Sequence, residues 1–313
     1  MARLARVCSI SYGGVPAGAN HNQRAIDTVC GLIDDAARDK PDIVVLPEVF
    51  NYLGSGAKYT EKAERASGPC VTALGKKAKE HHTYVVCPIF ERRGSHTYNS
   101  AILLDRKGQL VGRYHKMFPT IGEIEQGITP GKRSPVFDTD FGKVGFAICF
   151  DLNFRPVGDD LGRQDADLIL FCSMYRGGPQ CGIWAHDYSC YFVSATPGEL
   201  SVFVDPLGRE FARSWNYCRT VTRTLNLDYA VCHIDHNHLL IPKVRAKYGD
   251  AFAFEFESPQ ADFLILGNHP RKTVADIIRE FKLEPRKAYL ARATRVRDRT
   301  LAKASRRPPR RLA

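Results

Sequence analysis

Val144-Gly145-Phe146-Ala147-Ile148-Cys149-Phe150-Asp151-Leu152-Asn153-Phe154 is the stretch on which the reading of the fold turns. Its first five residues are apolar or small throughout, which suits a short strand covered on both faces rather than one wetted on alternate sides. A thiol, Cys149, follows directly. The same design occurs twice upstream. Glu48 ends the run Ile43-Val44-Val45-Leu46-Pro47, and Lys116 follows Leu110-Val111-Gly112-Arg113-Tyr114-His115. An acid, a cation and a thiol at three strand ends, in the chain order Glu, Lys, Cys, make a nucleophilic constellation.

Working outward, further β-rich runs recur at Leu4 to Ser11, Tyr84 to Phe90, Ala101 to Leu104, Asp167 to Ser173, Tyr191 to Ala195 and Ser201 to Asp205. Helical patterns lie between them. Over Asn22 to Arg38 the residues Ile26, Val29, Cys30 and Ile33 fall at i, i+3, i+4 and i+7, and Val71 to His81 is rich in Lys and Ala. Two hairpins are predicted, one turning at Lys107-Gly108 and one within Val202 to Phe211. Strands alternating with helices, some strands apolar throughout, predict an α/β fold whose sheets are covered by helices. A single domain is expected over residues 1–270, followed by a basic C-terminal extension over 271–313.

Each of the three residues supplies something that cleavage of a carbon–nitrogen bond requires. An ionised thiol is a strong nucleophile. A carboxylate such as Glu48 can take the thiol proton and pass it to a departing amine. A lysine such as Lys116 adds positive charge where an oxyanion develops, and its proximity favours the thiolate. Taken singly, a cysteine at a strand end is usually packing, and a lone Glu or Lys is usually solvated.

The words around the three residues carry a resemblance. Val44-Val45-Leu46-Pro47-Glu48, Tyr114-His115-Lys116-Met117-Phe118-Pro119 and Gly145 to Phe154, approached through Thr129-Pro130-Gly131 and Val136 to Gly145, resemble the nitrilase (carbon–nitrogen hydrolase) superfamily from residue 4 to about 265. The resemblance implies a four-layer αββα sandwich and an amidase-like cytoplasmic enzyme. Its small-molecule substrate would be an amide or, in other branches, a nitrile or N-carbamoyl compound. A Glu48–Lys116–Cys149 triad would act through a thioester, with no metal or organic cofactor. It also implies a supporting acid, Glu123 in preference to Glu125, an oxyanion contact from the backbone of Phe150, and assembly as a homodimer or higher homo-oligomer. The chain departs from the family pattern at Asn153, where many relatives carry arginine, and over the glycine-rich stretch from Ser173 to Trp184. Asn153, Arg176 and Trp184 are therefore the substrate-pocket candidates. Arg155 and Arg176 also suit a substrate carboxylate, against the plainer reading of solvated arginines.

Composition bounds the remainder. With 313 residues, 44% of them hydrophobic, the chain can bury a sizeable core. It has no apolar run of 18 residues that would span a membrane, and its start carries no apolar signal segment. The ten cysteines are scattered without a C-x-x-C pair, which suits buried free thiols in a reducing compartment and gives no zinc motif. The run His233-Ile234-Asp235-His236-Asn237-His238 divides its histidines between the two faces of a strand, so a metal site is not expected there. The net charge of +11 belongs to the tail: residues 271–313 hold fifteen Lys/Arg and four Asp/Glu, leaving thirty of each sign before them. Within that tail Thr273 to Leu283 reads as an amphipathic helix with Thr273 as N-cap. Three readings stand for the extension: contact with nucleic acid or another anionic surface, packing on a neighbouring subunit, or a solvated, partly disordered end.

Overall fold

In the computed structural model, which describes residues 3–198, 200–257 and 261–305, the chain divides into two compact units between Leu227 and Asp228. The first contains twelve strands: β1 (Leu4–Ile10), β2 (Ile43–Val45), β3 (Tyr84–Arg93), β4 (His96–Leu104), β5 (Leu110–His115), β6 (Val136–Asp138), β7 (Lys143–Ile148), β8 (Leu168–Cys172), β9 (Tyr191–Ala195), β10 (Val202–Val204), β11 (Glu210–Arg213) and β12 (Thr220–Asn226). They form two six-stranded sheets, in the orders β12-β1-β2-β3-β4-β5 and β11-β10-β9-β8-β7-β6. Each sheet has a parallel centre, β1-β2-β3 in one and β7-β8-β9 in the other, continued by antiparallel strands.

Parallel neighbours need a crossover, and helices supply it. Helices α1 (His21–Ala37) and α2 (Pro69–Glu80) cover the first sheet. A short helix, α3 (Ile121–Glu125), precedes the second, which α4 (Arg155–Arg163) and α5 (Pro179–Tyr188) cover. Ile26, Val29 and Ile33 of α1 and Leu74 and Ala78 of α2 pack on Val44, Val85, Cys87 and Ile102, all fully or nearly fully buried. Each such Val, Leu or Ile side chain contributes roughly 1.5–3 kcal/mol by leaving water. The inner faces of the sheets meet: Ser9 Oγ on β1 donates to the carbonyl of Ser194 on β9 (2.7 Å). This unit is the expected αββα sandwich, with β2, β7 and β8 buried along their whole length apart from Lys143.

Both predicted hairpins form. Gly108, at φ +75°, closes the β4–β5 turn with its N–H donating to Asp105 O (2.8 Å), and Gly208, at φ +83°, does the same against Asp205 O (2.9 Å). Both positions favour glycine because a side chain is rarely accommodated at such φ.

The second unit groups a third sheet with the C-terminal helices, so the expected texture change after Pro270 is not where the compact units part. Strands β13 (Tyr229–His233), β14 (Phe252–Glu257) and β15 (Asp262–Gly267) pair antiparallel in the order β13-β15-β14. Helices α6 (Ile241–Tyr248) and α7 (Val274–Phe281) share a core with that sheet, in which Cys232, Val244, Phe263, Ile265 and Ile277 are buried. That shared core is why the division falls at Asp228. Thr273 caps α7 as predicted, its Oγ1 accepting from Asp276 N (3.2 Å). The Arg-rich segment beyond is a helix, α8 (Arg286–Ser305), where a solvated end was one of the readings; its alanines, leucines and arginines are strong helix formers. Residues 306–313, the last part of the basic tail, lie outside the described residues. No helix among the described residues is long and apolar enough to cross a membrane.

Candidate active site

Glu48, Lys116 and Cys149 all stand where strands of the sandwich run out: Lys116 and Cys149 directly after β5 and β7, Glu48 two residues further past β2. Glu48 and Lys116 are 3% and 1% exposed. Two long charged side chains are withdrawn from water almost completely, which is costly unless each is paired and hydrogen-bonded. They are. Lys116 Nζ donates to Glu48 Oε1 (2.9 Å) and to Glu123 Oε2 (2.7 Å). Glu123 is turned inward by the first turn of α3, where Thr120 Oγ1 accepts from its N–H and its Oε2 accepts from Thr120 N (2.7 Å). Glu125, the alternative acid, is exposed.

Asn99, on β4, has no place in the sequence reading and completes this cluster. Its Nδ2 donates to Glu48 Oε1 (2.7 Å) and Glu123 Oε1 (2.8 Å), while its main-chain carbonyl accepts from Lys116 N (2.9 Å). The sequence offers little signal, because Asn99 stands among the polar residues His96, Thr97, Tyr98 and Ser100 of the first half of β4. The other Glu48 oxygen, Oε2, accepts from the N–H of Met174 (3.1 Å), just past β8. The Cys149 thiol lies near enough to Glu48 and Lys116 for both charges to act on its ionisation.

Electrostatics follow from this packing. Burial disfavours the Lys116 ammonium, but the charges of Glu48, Glu123 and Cys149 outweigh it and raise its pKa. Burial likewise opposes ionisation of Glu123, and Lys116, Asn99 and Thr120 overcome it, so its carboxyl titrates below the ordinary range. For Cys149 burial wins, with Glu48 adding to it, and the thiol is pushed up to about 12 although Lys116 pulls the other way. The resting cluster thus holds an ionised Glu123, a protonated Lys116 and a protonated thiol.

The turns that carry these groups are strained. Cys149 sits at φ +46° and Val49, next to Glu48, at φ +41°, a region that β-branched residues rarely occupy. Such residues cost on the order of 1–3 kcal/mol and concentrate at functional sites. Asp151, which has no role in the sequence reading, fastens the cysteine turn. Its Oδ2 accepts from Ile148 N (2.9 Å) and Tyr114 Oη (2.7 Å), and its Oδ1 from Phe118 N (2.9 Å). Burial pushes this carboxyl up to about 7 against those hydrogen bonds.

The remaining candidates separate. Phe150 is the second residue of the 3₁₀ turn Cys149–Asn153, whose first backbone N–H groups have no acceptor within the turn. Asn153 is exposed and donates to Phe150 O (3.1 Å). Arg176 lines a depression of about 490 Å³ together with Met174, Tyr175, Thr196 and Pro197, beside the Glu48 contact. Trp184 does not line it. That tryptophan is 5% exposed and packs edge-on against Tyr188 and Phe192, a core role set by the inward face of α5. Arg155 points to Asp187 (3.4 Å) at the surface. His233 stacks on Tyr289 (4.4 Å), and among the described residues the histidine run gathers no metal-binding group. Asp34, Glu80 and His81 do approach one another, but Lys77 Nζ already bonds both carboxylates, at 2.7 and 3.0 Å.

The geometry agrees with what the chain is similar to. The family model "Carbon-nitrogen hydrolase" matches residues 9–228, ending where the first compact unit ends. The omega-amidase of Homo sapiens is 26% identical over 261 residues, covering 75% of this chain and 93% of that protein. A hydrolase of Schizosaccharomyces pombe is 30% identical over 149 residues, or 44% of this chain, which spans 46% of that protein's length. Among solved structures, an amidase from Nesterenkonia sp. superposes with a TM-score of 0.63 at 17% identity, covering 71% of this chain and 90% of that one. With a matched model across most of its length and the αββα sandwich of the nitrilase type, this chain belongs to the carbon–nitrogen hydrolase family.

Proposed function

We propose that the protein hydrolyses a small amide to a carboxylic acid and ammonia or an amine, with Cys149 as nucleophile, Glu48 as general base and acid, and Lys116 as the oxyanion-stabilising cation. The observation that carries the proposal is the buried cluster in which the Glu48 carboxylate accepts from Lys116 Nζ (2.9 Å) while both charges act on the nearby Cys149 thiol. A thiol held at a pKa of about 12 is a poor nucleophile by itself, so attack needs a base in contact with it. As sulfur bonds to the amide carbon, the thiol proton passes to Glu48. Lys116 has three N–H donors, two of them used by Glu48 and Glu123. The third, with the N–H of Phe150, faces the developing oxyanion. Glu48 then protonates the departing nitrogen as the C–N bond breaks, leaving a thioester. Water attacks that carbon, its proton goes to Glu48, the C–S bond breaks, and the proton returns to sulfur.

Glu123 supports rather than reacts: it fixes Lys116 and Asn99, and through them the position of Glu48. Arg176, which lines the depression near Met174, and the exposed Asn153 stay the substrate-facing candidates. An amide is favoured over a nitrile or N-carbamoyl compound because the similar proteins are an omega-amidase and an amidase. A cytoplasmic location and assembly as a homo-oligomer belong to the same proposal through the family, and light scattering on the eluting protein tests the assembly.

Intact-mass spectrometry after mixing with a panel of small amides, nitriles and N-carbamoyl compounds, with ammonia release measured in parallel, tests the chemistry. The expected result is an acyl adduct and product formation in wild type and neither in Cys149→Ala, whose fold is retained by circular dichroism. Turnover surviving in Cys149→Ala overturns the assignment of the nucleophile.

A further inference from the structure

A second cavity, of about 620 Å³, opens on the other face of β5. Side chains alternate along a strand. Tyr114 and Lys116 turn inward to Asp151 and Glu48, whereas Arg113 and His115 line this cavity. Arg93, Lys132 and Arg133 join Arg113 around it, and no carboxylate does. The body of the chain over 1–270 balances thirty cations with thirty acids, so four cations around one cavity without an acid are a local departure from its composition. Glu91, buried behind the wall, accepts from Arg113 (2.6 Å), His115 (3.1 Å) and Ser100 (3.0 Å). That carboxylate compensates Arg113 alone among the four. Arg93, Lys132 and Arg133 have no ion-pair partner among the described residues.

The walls are built as well as charged. The Tyr98 ring lies flat on His115 at 4.0 Å and 9°. Gly131 lies so close to β5 that a Cβ there would fall 2.0 Å from His115 O, and its N–H donates to Lys116 O (2.8 Å). The volume falls in the range of small-molecule sites, roughly 300–1,000 Å³. Guanidinium groups present paired donors that match phosphate oxygens, and clustered cations favour a ligand carrying several charges at once.

We propose that this cavity, formed by Arg93, Arg113, Lys132 and Arg133 over the Tyr98–His115 stack, binds a small molecule carrying a diphosphate or comparable polyphosphoryl group. The ligand would sit on the reverse side of the strand end that carries Lys116. The inference does not rest on the hydrolase chemistry, because its readout is binding.

Titration calorimetry of the full chain with inorganic pyrophosphate, at fixed ionic strength against a sulfate control, tests it. One site is expected, weakened at least about 100-fold by the combined Arg93→Ser, Lys132→Ser and Arg133→Ser substitutions, since each lost charged hydrogen bond is worth about tenfold or more. All three side chains are exposed, so the melting midpoint should be unchanged and a folding failure would be visible. Arg133→Lys should weaken binding severalfold, as a point charge replaces a fork. Pyrophosphate heats matching those of sulfate overturn the proposal. So does equal affinity in the triple variant, which would put the anion at Lys116, and so does binding only to vesicles containing phosphatidic acid, which would make the ligand a membrane surface.

Discussion

Lys116 and Asn99 together hold two carboxylates side by side in a site from which water is almost excluded. Lys116 neutralises one of the two charges; the Asn99 amide spans both acids through its two N–H donors, at 2.7 and 2.8 Å. Asn99→Ala should therefore release Glu48 and Glu123 to repel each other. The expected loss is about 2–4 kcal/mol of stability from two charged hydrogen bonds and on the order of 100-fold in kcat/KM, read by thermal melts and ammonia release. A variant with unaltered kcat/KM would remove Asn99 from the positioning of Glu48. Cys149 gives a pH signature. Its folded thiol is raised from 9.0 to about 12, so its contribution to stability is complete below pH 9 and is lost as pH rises toward 12. Wild type should lose about 1–4 kcal/mol more than Cys149→Ala over that window; parallel melting curves would show that the thiol is not so perturbed. At this scale the sequence singles out Glu48, Lys116 and Cys149 as candidates because each has distinctive flanking words, and the fold pairs the first two. Asn99 was not legible, since an amide in a strand looks like any other polar interruption until the fold sets two acids beside it.

Asp151 acts between elements rather than at one atom. It joins the end of β7 through Ile148 N, the segment after Lys116 through Phe118 N, and β5 through Tyr114 Oη, at 2.7–2.9 Å. The strand that presents the thiol and the loop that follows the ammonium are thereby fixed to a single carboxylate. Asp151→Asn offers one oxygen and one NH₂ where two acceptors are needed, so at least one of these N–H donors faces a donor. A loss of about 1–3 kcal/mol is expected, with a larger fall in kcat than rise in KM. Tyr114→Phe, which removes only the hydroxyl, should cost about 1 kcal/mol. A change in KM alone for Asp151→Asn would point to the substrate depression instead. Helices α1 and α2 and both hairpins were readable because their periodicity and turn residues are local. The third sheet was not: β13 to β15 are short, β14 carries two glutamates in six residues, and their partners are set by a core shared with α6 and α7.

At the scale of the whole molecule the chain holds two cores, and every residue proposed for catalysis lies in the first, over 3–227. The sequence pointed to a division after Pro270 because charge and texture change there, but texture does not report which strands share a core. Asp262, on β15, is 3% exposed and is paired with Arg286 Nε (2.8 Å) at the start of α8. The same helix lays Tyr289 flat on His233 and donates its hydroxyl to Asp235 (2.8 Å). The first turns of the basic helix are therefore structural, whatever its later arginines contact. Arg286→Ala removes a cation from a buried carboxylate, a change that typically costs about 3–5 kcal/mol. Hydrogen exchange should show the loss in β13 and β15, around Cys232 and Phe263, with β7 and β8 still protected and the Cys149 acyl adduct still formed. If protection falls equally in β7 and β8, the two cores unfold as one, and the C-terminal unit supports the site as well as its own sheet.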